Sequence, residues 1–267
     1  MKITHIETLP VLVPIQPRLA IKSARGYHTA SPFLFIKIHT DKEITGLGEV
    51  SCTPVWSGED HVTAEHYIRN LLAPALIGQD PRNIETCVSL LDSLIAENLF
   101  TKAGIEMALW DIAGKAAGVP VYKLLGGKVR DTVQIYNGGV RFPMNGTSPQ
   151  DYADNVALMK AAPQKFRLIK MPIGFHSTMP HQVPNFAYGD PHESRHQSNR
   201  GLMTEQGLKH VVACVEAMKS VLGDEIGLAL DCGPGWMVPD AIRLAKALEP
   251  FHITWLEDLI TGDYVPY

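Results

Sequence analysis

Apolar and polar positions alternate through the first fifty residues and predict strands. Ile3-Thr4-His5-Ile6-Glu7-Thr8-Leu9 alternates in part, and Phe33-Leu34-Phe35-Ile36-Lys37-Ile38-His39 reads as a second strand. Asp41-Lys42-Glu43 makes a polar turn, after which Ile44 to Val50 returns as a third. Pro10, Pro14 and Pro17 are expected to end regular pairing of the first strand, because proline has no N–H for a ladder. A meander of three antiparallel strands is the simplest arrangement. The stretch from Pro14 to Ser31 is too long for a plain turn. It has the length of a functional lid, and an idle surface loop would look the same.

Between residues 60 and 126 the period becomes helical. The clearest stripe runs from Lys102 to Ala117, with Ile105, Ala108, Leu109, Ile112, Ala113 and Ala116 on one face and Gly118-Val119-Pro120 as the stop. From about residue 132 strand and helix alternate, the mark of βαβ units and a parallel sheet. Strands are predicted at Thr132–Asn137, Phe166–Met171, Ile226–Asp231 and His252–Glu257. Helices are predicted at roughly Pro149–Ala162, Thr204–Leu222 and Pro239–Leu248, the second carrying the stripe Leu208, Val211, Val212, Val215, Met218 and Leu222. A boundary near residue 130 separates an α+β unit, 1–130, from a βα unit, 131–267.

Residues 174–203 interrupt the alternation. A strand connects to its helix in about 2–6 residues, whereas this connection is far longer, with four histidines (His176, His181, His192, His196) and few aliphatics. It reads as a mobile, lid-like insertion over the strand ends. His192-Glu193-Ser194-Arg195-His196 spells H-E-x-x-H, which as a zinc signature needs a helix with both histidines on one face. Gly189, Asp190 and Pro191 precede it, polar residues follow, and no apolar stripe supports such a helix. The motif is therefore read as a polar insertion.

Composition narrows the function classes. The chain has 267 residues, 45% hydrophobic and 19% charged, so it is long enough for one large domain or two moderate ones. A net charge of −4 with no basic stripe argues against nucleic-acid and membrane-surface partners. Cys52, Cys87, Cys214 and Cys232 are scattered and read as reduced thiols. The N-terminus lacks a signal-peptide core and no run is long enough to span a bilayer, so a cytoplasmic protein is expected.

Two of the predicted parallel strands stop on carboxylates: Leu228-Ala229-Leu230-Asp231 and Ile253-Thr254-Trp255-Leu256-Glu257. In a barrel of parallel strands the C-terminal ends converge on one face, where active sites sit. Asp231 and Glu257 would then be two hard oxygen ligands for a divalent metal, although single strand-end acids more often cap loops or pair with lysine and arginine. Cys232 would point to the other side of its strand, into packing. Trp110 and Trp255 are most simply core aromatics.

Three stretches carry a resemblance to the enolase superfamily, on its mandelate racemase and muconate lactonizing enzyme side, among the acid-sugar dehydratases. They are the helix Ala103-Gly104-Ile105-Glu106-Met107-Ala108-Leu109-Trp110-Asp111-Ile112-Ala113-Gly114-Lys115, the strand end Leu230-Asp231-Cys232-Gly233-Pro234-Gly235-Trp236, similar to D-x-N-x-x-W, and Trp255-Leu256-Glu257-Asp258, similar to W-[IL]-E-[ED]-P. Gly46-Leu47-Gly48-Glu49 and Leu125-Gly126-Gly127 also fit. Gly233 stands where the family has asparagine and Leu259 where it has proline.

The resemblance implies an N-terminal α+β capping domain followed by a modified TIM (β/α) barrel. A full barrel needs eight strands and about 250 residues, so only its first half is expected, apparently truncated at the C-terminus. It implies Mg²⁺ held by Asp231 and Glu257, with the third metal carboxylate and the acid/base group of the opposite face absent. Lys170 matches the first lysine of a K-x-K strand end and Pro172 takes the place of the second, often the base, so Lys170 is expected to steady developing negative charge. Tyr27, His28 and Trp56 fall in the loops that select substrate in relatives, and Asn137 and Arg141 past the first barrel strand are weaker candidates. The implied activity is a Mg²⁺-dependent dehydration of an aldonate or aldarate type acid sugar, through α-proton removal and a metal-stabilised enediolate. A homo-oligomer acting on a small hydroxylated carboxylate is expected. Racemisation or epimerisation is the alternative within this chemistry, and a catalytically silent fragment or assembly partner is the alternative outside it.

Overall fold

A computed structural model of the chain describes residues 1–23, 26–137, 144, 146–189, 202–233 and 235–260, without the side chains of residues 18, 21–23, 26, 27, 55 and 56. Contacts divide it into two compact units, Met1–Ile15 with Ala30–Thr132, and Gln16–Thr29 with Val133–Tyr267. Among the described residues no helix is long and apolar enough to cross a membrane.

The first unit is built on an antiparallel sheet of β1 (Ile3–Pro14), β4 (Ala30–Thr40) and β5 (Thr45–Val50), in that order across the sheet. Alternation sets its faces: Leu34, Ile36 and Ile38 are fully buried, while Phe35 between them is exposed. Pro10 does not end the first strand as expected, whereas Pro14 is its last residue. Pairing continues through Pro10 opposite Leu34 to Pro14 opposite Ala30. The physical reason is that β1 is an edge strand, where a missing N–H can face away from the ladder.

Against this sheet lie α1 (Pro54–Ser57), α2 (His61–Tyr67), a π turn at Ile68–Leu72, α3 (Ala73–Leu76), α4 (Ile84–Leu94), α5 (Leu99–Ala117) and α6 (Val121–Leu124). The predicted stripe of α5 is its buried face, with Ile105, Ala108, Leu109 and Ile112 at zero exposure. The start of α2 is held by Asp60, whose carboxylate accepts the Val62 N–H at 2.8 Å, the Thr63 N–H at 2.9 Å and the Thr63 hydroxyl at 2.7 Å. The Thr63 N–H, more than any other partner, holds this carboxyl below its usual range. A folded pKa below the unfolded value contributes stability above about pH 4, lost as pH falls through the folded value. Asp60→Asn keeps a cap but not the charge. It is expected to melt below the parent at pH 6 and level with it near about pH 2; a gap that stays constant across the titration would rule out the ionised cap.

The second unit carries α7 (Pro149–Lys160), β6 (Leu168–Pro172), α8 (Met179–Gln182), α9 (Glu205–Leu222), β7 (Gly227–Asp231), α10 (Val238–Leu248) and β8 (Leu256–Glu257). β6, β7 and β8 form a parallel sheet in that order. The sheet's buried side chains Ile169, Met171, Leu228 and Leu230 share one core with Tyr152 and Val156 of α7 and Val211, Val215 and Met218 of α9. Ser148 and Asp151 form a capping box at the start of α7, and the Thr204 hydroxyl accepts the Gly207 N–H at the start of α9. Cys52, Cys87, Cys214 and Cys232 are all buried free thiols.

Three expectations change here. Thr132–Asn137 is not a strand: it joins the sheet through a single parallel bridge, Asn137 to Ile169. Val133 and Ile135 are 70% and 63% exposed, so no second layer rewards extending the ladder. The Pro14–Ser31 stretch contains a two-stranded hairpin, β2 (Ile21–Ser23) with β3 (Gly26–His28), and β2 lies against the turn at Gly174–His176. Finally, the described parts of 174–203 are not lid-like. Phe175, Met179, Phe186 and Met203 are buried in the unit's core, and Ala187 bridges Met203. Aromatic and methionine side chains anchor what a count of aliphatics marks as loop. His192 and His196 lie outside the described residues.

Candidate metal centre

Strand register assembles the site. Pro172 is level with Asp231, and Asp231 with Glu257, so three strand ends stand side by side. Lys170 lies two residues before Pro172 and therefore on the same face of β6, with Ile169 and Met171 turned into the core. Its long side chain reaches up to the carboxylates. Nζ lies 2.7 Å and 2.8 Å from the two oxygens of Glu257 and 3.1 Å from Asp231 Oδ2. The side chains of Lys170 and Asp231 are each only 11% exposed, while Glu257 is 34% exposed.

Burial alone would lower the Lys170 pKa, but the hydrogen bonds it donates to Glu257 and the charge of Asp231 outweigh it and the net shift is upward. Burial likewise pushes Glu257 up, and Lys170 and the Trp255 indole pull it below its usual range. The pair is therefore an ammonium and a carboxylate. Lys170 supplies positive charge in this arrangement.

Trp255 is more than a core aromatic. Its indole N–H donates to Glu257 Oε2 at 3.1 Å, and Tyr136 packs edge-on against it with ring centroids 5.3 Å apart. Tyr136 also lies 5.9 Å from the Lys170 ammonium. Asp258 joins the two expected acids, and oxygens of Asp231, Glu257 and Asp258 all lie within 4.8 Å of one another. Strand alternation would send Asp258 to the opposite face from Glu257. The strand ends at Glu257 instead, and Asp258 takes a left-handed conformation with φ +52°, which turns its carboxylate back. Three acidic oxygens suit a hard divalent cation, and the Lys170 ammonium already placed against two of them shows that the cluster accommodates positive charge.

His28 ends β3, half-buried; Tyr27 and Trp56 have side chains outside the described residues, as does Arg141 entirely. Asn137 is buried, with its backbone paired to Leu168 and Lys170.

The mandelate racemase/muconate lactonizing enzyme N-terminal domain matches residues 5–126, and the enolase C-terminal-like domain matches residues 152–266. The chain belongs to the enolase superfamily, in its mandelate racemase/muconate lactonizing enzyme group. Residues 5–126 thus match the capping domain of that group and residues 152–266 its barrel-like domain, and the hairpin of β2 and β3, inside the first match, clusters with the second unit. An N-succinyl-L-Arg/Lys racemase of Bacillus cereus is 25% identical over 264 residues, 98% of this chain and 61% of the racemase. A D-mannonate dehydratase of Caulobacter sp. strain K31 is 30% identical over 239 residues, 86% of this chain and 56% of the dehydratase. The crystal structure of a dipeptide epimerase from Cytophaga hutchinsonii, complexed with Mg and a dipeptide, superposes with a TM-score of 0.73 at 25% identity, covering all of this chain and 61% of the epimerase. The chain thus spans about 60% of the length of these relatives.

Within this superfamily pattern, two site residues escape a sequence reading. Asp258 was visible only as part of a motif. His176 stood among four histidines of a long connection, yet its Nδ1 lies 3.5 Å from Asp231 Oδ1.

Proposed function

We propose that the chain carries the metal-binding strand ends of a Mg²⁺-dependent acid-sugar dehydratase, acting on an aldonate or aldarate type substrate. Asp231, Glu257 and Asp258 would hold the ion. A bound Mg²⁺ supplies electrostatic stabilisation of charge developing on the substrate carboxylate. A base on the opposite face, which Lys170 and Pro172 do not supply, would take the α-proton, and the β-hydroxyl would leave with a proton as water, giving an enol that becomes the 2-keto-3-deoxy acid. The observation that carries the reading is the state of Lys170. Lys170 stands against Asp231 and Glu257 as a source of positive charge, and Pro172, in the place of a second lysine, cannot take a proton, so this strand end carries no second lysine base. That favours elimination over a two-base exchange of configuration. The D-mannonate dehydratase relative supports the same class.

Tyr27, His28 and Trp56 would meet the substrate hydroxyls in this scheme. A homo-oligomer is supported by the apolar surface of the first sheet, where Leu9, Phe35 and Leu47 are exposed. Racemisation is the second reading, favoured by the names of the Bacillus cereus and Cytophaga hutchinsonii relatives.

One experiment separates them. The chain is incubated in D₂O with Mg²⁺ and a panel of pentonic and hexonic acids, and followed by NMR. A 2-keto-3-deoxy acid is the expected product. Deuterium at the carbon next to the carboxylate without loss of water would select racemisation. Absence of both, with no heat of Mg²⁺ binding in calorimetry, would reject both enzymatic readings for this chain.

A further inference from the structure

His176 sits on the tight turn Gly174–His176 that follows β6, and its position is fixed from the backbone outward. Its N–H lies 3.1 Å from both the Ile173 and the Cys232 carbonyl oxygens, the second of which ties the turn to the exit of β7. Its side chain is only 8% exposed. The two oxygens of Asp231 face different partners: Oδ2 is 3.1 Å from the Lys170 ammonium, and Oδ1 is 3.5 Å from the His176 imidazole. The carboxylate therefore lies between the ammonium and the imidazole.

The neighbouring glycine gives this contact a reason. Gly233 has φ +65°, a conformation that glycine adopts freely and asparagine tolerates better than most residues. A Cβ at 233 would stand 2.8 Å from His176 Cβ, 3.0 Å from its Nδ1 and 3.1 Å from its Cα. The imidazole therefore occupies the space into which a side chain at 233 would grow. Position 233 is also where the D-x-N motif expects asparagine.

We propose that His176 is a positioning residue for Asp231: it takes the space that a side chain at Gly233 would fill and sets Nδ1 against Oδ1 at 3.5 Å, a polar contact longer than a formed hydrogen bond, through which an Nδ1–H steers the carboxylate toward its ligating orientation. Carboxylates that bind metals are commonly steered by such outer hydrogen bonds, and losing one typically weakens metal binding about 10–100-fold. The inference rests on reading Asp231 as a metal ligand, and its test has an arm that does not.

In the metal-free protein, the ring nitrogens of His176 are read by ¹⁵N NMR about two pH units above the ordinary imidazole value of about 6.5. The proton is expected on Nδ1, and Asp231→Asn is expected to move that resonance. A proton on Nε2 with bare Nδ1 overturns the proposal. In calorimetry with Mg²⁺ alone, His176→Leu should weaken binding at least tenfold, whereas His176→Asn, whose amide nitrogen stands near the place of Nδ1, should stay within about threefold of the parent. Equal losses in both variants, or none in either, also overturn it. Gly233→Asn should weaken binding in the parent and regain it when combined with His176→Ala. This exchange keeps the test decisive if His176→Leu does not fold. Failure of the parent to bind Mg²⁺, with the proton on Nδ1 and the resonance sensitive to Asp231→Asn, would reject the metal reading while upholding the contact.

Discussion

Lys170→Met is expected to destabilise the metal-free second unit by roughly 2–3 kcal/mol. The substitution keeps most of the volume but removes the ammonium that lies within 3.1 Å of both Asp231 and Glu257. Two neighbouring carboxylates at the sheet's end then lose their ammonium, and the His176 imidazole beside Asp231 remains near them. Breaking a buried ion pair from one side costs about 3–5 kcal/mol. The partial exposure of Glu257 places the expectation below that range. Urea unfolding followed by hydrogen exchange of the β6 and β7 amides reads the effect. Mg²⁺ should restore more stability to the variant than to the parent, because binding no longer has to displace an ammonium. A variant within about 0.5 kcal/mol of the parent would show that Lys170 does not neutralise the pair.

Gly48→Ala is expected to be at least as damaging in the first unit, at about 3 kcal/mol or more, the upper end for overpacking. β5 runs so close to α5 that a Cβ at 48 would overlap the Gly104 carbonyl oxygen and lie 3.2 Å from the Ala108 nitrogen. Both neighbours are helix backbone, which cannot swing aside as a side chain can. The sheet and helix must separate, and the packing of Ile36 and Val50 near Gly104 goes with them. Thermal unfolding tests this against Gly104→Ala, whose added methyl would meet Val50 and Ile36 side chains that can rearrange, and which is expected to cost less. Unchanged melting of Gly48→Ala would mean that the two elements are not held at this distance.

Much of this architecture was legible in local pattern. The alternation of Phe33 to His39 is the core strand β4, and the stripes from Ile105 and from Leu208 are the buried faces of α5 and α9. Burial periodicity is written into neighbouring residues, so it survives without knowledge of the fold. Asp231 and Glu257 were legible for a related reason: each closes a short apolar run, and strand ends of a parallel sheet share a side. Pro10 misled because its effect depends on whether β1 has one neighbour or two, which its own sequence does not state. Thr132–Asn137 misled in the opposite direction, a good strand pattern with only one partner to pair with.

The composition of the site itself depended on long-range geometry. Lys170 and Glu257 are 87 residues apart, and they meet because parallel register sets Pro172, Asp231 and Glu257 on one level. Asp258 joins them through one left-handed residue, and His176 reaches Asp231 because a turn after β6 is tied to the Cys232 carbonyl. The chain alone determined which segments are strands and helices, which faces they bury, and that two carboxylates end neighbouring strands. Folding determined that a lysine, a third acid and a histidine share those carboxylates, because a side chain's partners follow from register and turn geometry summed over the whole path, and no local period records that sum.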